Sequence, residues 1–173
     1  MDLRRRARHL AADPKVSLAA TAHAANDSAE RAAAWLATPL LFAFRWYVAW
    51  QFLKSGWLKV SDWDSTLYLF QEEYHVPLVP PEMAAVAGTV GELVFPALLL
   101  MGLLTRFAAL GLSAVNVLAV VSYAHVLLSE GFEAALGQHY LWGTLLLVVL
   151  VFGPGRWSLD AWLGGHQAEG SRP

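Results

Sequence analysis

Residues Ala84–Thr105 read AAVAGTVGELVFPALLLMGLLT. This apolar run is about the length of helix that crosses a bilayer core, yet it holds one carboxylate, Glu92, near its centre. A charge at that depth costs at least ~2.5–3.5 kcal/mol on insertion scales. Glu92 therefore needs a partner, or it is kept for a task.

Three further runs resemble the first: 36–59, 106–128 and 136–152. The second span itself is taken as 82–104. With 57% hydrophobic and 15% charged residues in 173, the chain departs from soluble usage. It reads as an all-α integral membrane protein, an antiparallel four-helix bundle with a short external surface helix. The net charge of −2 and the absence of a contiguous basic face argue against a nucleic-acid partner. Cysteine is absent, which excludes disulfides, thiol relays and thiolate metal sites within the chain. With no complete catalytic constellation either, the chain reads as non-catalytic alone.

Around the spans, residues 1–35 open with MDLRRRAR and stay too polar to insert. They read as a cytoplasmic tail, with a surface helix over 27–36 capped by Asp27 or Ser28. His9 and His23 there are expected to be solvated. Pro39 suits the first turn of the first span. Lys54 and Lys59 are expected to snorkel at its far end, and Trp46, Trp50 and Trp57 to face lipid or join the interfacial belt. In the connection 60–82, Ser61 or Asp62 can cap a surface helix with Trp63, Leu67 and Phe70 on one side. Pro80 and Pro81 then open the second span. After the fourth span Gly153-Pro154-Gly155 is a stop, Ser158 caps a last turn, and Gly164 ends it, leaving 164–173 as a disordered tail.

Arg4, Arg5, Arg6, Arg8, Arg106 and Arg156 fall on one side of the four spans, and Asp62, Asp64, Glu72, Glu73, Glu82, Glu130 and Glu133 on the other. The positive-inside tendency makes both termini cytoplasmic in a bacterial inner membrane.

Counting about 1.5 Å per residue inward from Glu82, Lys59 and Arg106 puts Glu92, Arg45 and Asn116 at one depth near the midplane. The expected constellation is an Arg45–Glu92 pair with a hydrogen bond from Asn116, and Tyr123 on the same helix stripe. An Arg–carboxylate pair is the cheapest way to hold either charge there. Two readings stay open: a network that fixes helix register, or a polar anchor for a quinone or similar lipophile. His125 and His139, near one end of adjacent helices, form a second cluster that could ligate copper, zinc or haem iron.

Arg45…Gly56-Trp57-Leu58-Lys59, Gly91-Glu92-Leu93…Met101-Gly102-Leu103-Leu104-Thr105-Arg106 and Gly153-Pro154-Gly155-Arg156-Trp157-Ser158-Leu159-Asp160 resemble the DoxX family of small bacterial membrane proteins. The likeness covers about 38–163. The stretch LFQEEYHVPLVPPEMAAVAGTVGELVFPALLLMGLLTR most resembles DoxX-type proteins encoded beside bufferin-type metal-binding peptides. The resemblance implies a four-helix subunit associated with oxidoreductase systems. Relatives include subunits of quinone-linked thiosulfate oxidoreductases and a membrane partner of sulfurtransferase and superoxide dismutase. Thiol–quinone oxidoreductases are wider relatives, but their cysteines are missing here. Two functions follow as alternatives. One is a membrane subunit that binds a quinone and takes electrons from a protein partner. The other is a non-catalytic anchor or helper in copper or oxidative-stress handling. The bilayer is a partner in both, and homo-oligomerisation is compatible with either.

Overall fold

A computed structural model describes residues 14–170, with side chains at 21 and over 23–164. Arg4, Arg5, Arg6, Arg8 and His9 lie outside the described residues. The chain forms two compact units, Met1–Thr38 and Pro39–Pro173.

Helix α1 spans Pro14–Ser61. The helix expected over 27–36 is therefore not a separate, capped element. Ser28 sits inside α1, where its hydroxyl donates to the Ala24 carbonyl, and Pro39 is an interior residue rather than a first-turn one. His23 is exposed. Ala-rich sequence without a glycine between 14 and 55 explains the continuity, since alanine is the best helix former.

In the second unit α1 is followed by α2, Trp63–Tyr68. Asp62 caps α2, one oxygen accepting from the Ser65 N–H at 3.1 Å and the other from the Ser65 hydroxyl at 2.7 Å. These bonds to the charged form hold the Asp62 carboxyl below its usual range. Leu69–Glu73 widens into a π-helix. The apolar side of this segment does not lie free. Phe70 is buried against Ala84 and Ala85, with Trp63, Leu67, Tyr74 and Val76 around it. The chain is then pinned where the His75 N–H meets the Ser122 carbonyl.

Helix α3, Pro81–Met101, starts with proline at its first position. It ends at Gly102 with φ of 68°. Leu103 N–H returns to Leu98 O and Gly102 N–H to Leu99 O, the Schellman closure. Helix α4, Thr105–Ser122, follows at once. Gly91 faces Val115, and Gly111 faces the Phe95 ring, so α3 and α4 run in opposite directions at close range. Small residues permit that approach between membrane helices.

The short α5, Ala124–Leu127, leads through a loop to α6, Glu133–Phe152. Helix α7, Leu159–Gly170, closes the described chain and runs past Gly164. Its cap is Ser158, whose hydroxyl oxygen accepts from the Ala161 N–H.

Among the described residues, four helices are long and apolar enough to cross a membrane: His23–Ser61, Pro81–Met101, Thr105–Ser122 and Glu133–Phe152. The molecule is an all-α, multi-span membrane protein. Its core joins Val48, Ala49 and Phe52 of α1 to Leu99, Ala108, Ala109, Leu112, Leu146 and Val149. Trp46, Trp50 and Trp57 are exposed on α1, as lipid-facing residues would be.

Candidate functional site

Arg45 and Glu92 are both buried, 1% and 8% exposed, but they do not pair. Arg45 Nη1 donates to the Leu99 carbonyl at 3.0 Å and Nη2 to the Trp157 carbonyl. Its guanidinium lies over the Phe42 ring. Glu92 instead takes Lys59, with Nζ 2.6 Å from Oε2. Equal Cα depth does not make Arg45 and Glu92 partners, because the side chains reach away from their own Cα level. Side chains on a helix lean toward its N-terminus, so the long Arg45 and Lys59 chains both act about a turn back from their own Cα atoms. That shift takes Arg45 to the Gly102 end of α3 and brings Lys59 inward to Glu92.

The Arg45 centre is a clasp. Arg45 ties α1 to the end of α3 and to the 153–158 turn. Asp160 completes it, with its N–H on the Gly102 carbonyl. Its carboxylate accepts from the N–H groups of Leu104 at 2.8 Å and Thr105 at 2.9 Å. Leu104 has φ of 47°, and Asp160 supplies the acceptor that a Leu side chain cannot. Burial pushes the Asp160 carboxyl up. The Thr105 and Leu104 hydrogen bonds and the Arg45 charge outweigh it, and the net shift is downward. Both Arg45 Nη atoms and both Asp160 carboxylate oxygens are engaged with backbone, which is structural work.

The Lys59 centre is different, because it faces a cavity of about 330 Å³. Lys59 also donates to the Ser55 hydroxyl at 2.8 Å. Gly56 sits between them and lets α3 approach: a Cβ there would lie 2.9 Å from Leu93 and 3.1 Å from the Glu92 backbone. The cavity walls are apolar, with Val76, Val79, Ala84, Val115, Leu118 and Leu127 among them. Tyr74 and Tyr123 also line it, with ring centroids 5.1 Å apart. Burial first, then the charges of Glu92, Tyr123 and Glu73, push the Tyr74 hydroxyl above its usual pKa. It therefore keeps its proton and remains a donor.

Asn116 is not bonded to Arg45 or Glu92. Its Nδ2 donates to the His139 carbonyl at 3.0 Å, and its Oδ1 lies 2.8 Å from His139 Nδ1. His139 itself lines the cavity. The recorded ring contacts of His125 are with His75, at 4.8 Å, and Tyr123, whereas His139 packs on Trp142. Among the described residues no three His, Asp or Glu side chains are grouped to hold a metal.

Of the expected site, Glu92 and Tyr123 line the cavity, Asn116 stands behind His139, and Arg45 belongs to the clasp. Lys59 is the residue that sequence reasoning missed. It was placed at the interface although it shares a helix face with Arg45, Ala49, Phe52 and Gly56, and that shared face was the available signal.

The sequence profile of the DoxX family matches residues 40–125. An uncharacterized protein of Haemophilus influenzae is 30% identical over 127 residues, covering 69% of this chain and 80% of the relative. No solved structure matches the chain. With its apolar spans, its buried polar face and this match through the first spans, the chain belongs to the DoxX family of membrane proteins.

Proposed function

We propose that this protein is a ligand-binding membrane subunit of an oxidoreductase system, and that it holds a quinone or similar lipophile in the cavity beside Lys59 and Glu92. The observation that carries this reading is the cavity's make-up: a mostly apolar lining with a few polar groups, Lys59, Glu92, Tyr74, Tyr123 and His139 among them. Its volume lies at the lower end of the range for small-molecule sites, roughly 300–1,000 Å³. That space suits a ring headgroup, with the tail left among lipid. Lys59 and the tyrosine hydroxyls would bind ring oxygens. The chain has no cysteine, so electrons would come from a protein partner.

In the same reading the four spans form an antiparallel bundle in a bacterial inner membrane. Both termini are cytoplasmic, following Arg4, Arg5, Arg6, Arg8, Arg106 and Arg156. The 62–79 segment and the cavity then lie toward the external face. A second reading, an anchor or helper in copper or oxidative-stress handling of the kind encoded beside bufferin-type peptides, draws support from the neighbouring His75 and His125 rings, whose centroids are 4.8 Å apart.

Purification in mild detergent, with a visible spectrum, an organic extract and metal analysis of one sample, separates the two. The quinone reading expects a stoichiometric quinone in the extract that is lost in Glu92→Gln. A quinone-free sample that does not bind added short-chain quinone overturns it, and stoichiometric copper lost in His125→Ala favours the second.

A further inference from the structure

Beside the donors Lys59, Tyr74 and Tyr123 the cavity lining holds acceptors, and their use rests on the proposed placement of a ligand there. Lys59 directs two of its three ammonium protons to Glu92 and Ser55. Glu92, as the partner of an ammonium, is an acceptor. The less obvious acceptor is His139. Asn116 spans it twice: because Nδ2 donates to the His139 carbonyl, the amide orientation is fixed and Oδ1 is the atom facing the ring. An oxygen acceptor 2.8 Å from Nδ1 requires the proton on Nδ1. The neutral ring then has only a lone pair at Nε2. Such a second residue holding a ring in one tautomer is the device by which proteins set what a histidine recognises.

We infer that His139, held in one tautomer by Asn116, makes the cavity select the hydroxylated (hydroquinone) form of an aromatic lipophile over its carbonyl (quinone) form. A ring hydroxyl donates to Nε2. A ring carbonyl at the same place meets lone pair with lone pair and leaves the Nε2 acceptor unpaired. His139 is the discriminating residue and Asn116 its positioning residue.

The test is the affinity of the full chain in detergent, without oxygen, for decylubiquinol and for decylubiquinone, read by titration calorimetry. The wild type is expected to prefer the hydroquinone by about five- to tenfold, the worth of one net hydrogen bond. His139→Leu brings the ratio near one while quinone affinity persists. Asn116→Ser frees the ring and also lowers the ratio. A general packing defect would weaken both probes alike and leave the ratio unmoved. Equal wild-type affinities overturn this inference and leave the cavity assignment standing. An unchanged ratio in His139→Leu or Asn116→Ser does the same. Failure of both probes to bind the wild type overturns the cavity assignment as well.

Discussion

Lys59 Nζ lies 2.6 Å from Glu92 Oε2 and 2.8 Å from the Ser55 hydroxyl, so the ammonium turns back along α1 into the bundle. Removing one member of such a buried pair leaves an uncompensated charge, at a cost of about 3–5 kcal/mol. Lys59→Met and Glu92→Gln are each expected to lower the unfolding temperature in detergent. The double variant recovers most of the loss, because a buried pair is often no more stable than an apolar replacement. A double variant as unstable as the sum of the singles would show that the two side chains act independently.

Gly102 is required twice. Its φ of 68° suits glycine, and a Cβ there would strike Arg45 Nη1 and Ser158. Gly102→Ala is expected to lose more than the ~1 kcal/mol of left-handed strain alone. Gly137→Ala is the control, since a Cβ at Gly137 meets nothing and alanine favours helix by up to about 1 kcal/mol. Thermal unfolding of the two variants should move in opposite directions.

Asp160 links pH to the clasp. Its folded-state pKa is lowered, so its contribution is present above the unfolded value of about 3.9 and fades as pH falls through the lower folded value. Asp160→Asn should therefore be less stable than the wild type at pH 7, by ~1–2 kcal/mol for a lost helix cap. The gap should close as pH drops below about 4. A gap independent of pH would mean that the carboxylate charge is irrelevant there.

Tyr74 gives the opposite sign. Its pKa is raised by burial, so any stability it contributes is intact below the unfolded value of about 10 and is lost as pH rises through the folded one. Ultraviolet difference titration should show one tyrosine ionising late, and Tyr74→Phe should delete that late component. Deletion of an early component instead would place the Tyr74 hydroxyl in water.

Much of this was legible in the chain. Apolar length marks the spans, and helical spacing puts Arg45, Ala49, Phe52 and Gly56 on one buried face and Thr89, Glu92 and Pro96 on another. Pro80-Pro81, Asp62 and Ser158 announce element starts through local chemistry. Continuity of α1 through Pro39 was missed, because an interior proline imitates a first-turn one when only its neighbours are read.

Sequence by itself determined that this protein crosses a membrane and that it buries charge in doing so. Only the tertiary structure decided who meets whom. Periodicity fixes the rotation of a helix but not its offset along a neighbour, and two long side chains that lean a full turn back make that offset decisive. Arg45 found backbone carbonyls of Leu99 and Trp157, which carry no side-chain signature. Glu92 was left to Lys59, and Asn116 to His139, and with those three choices the polar groups of the cavity were set.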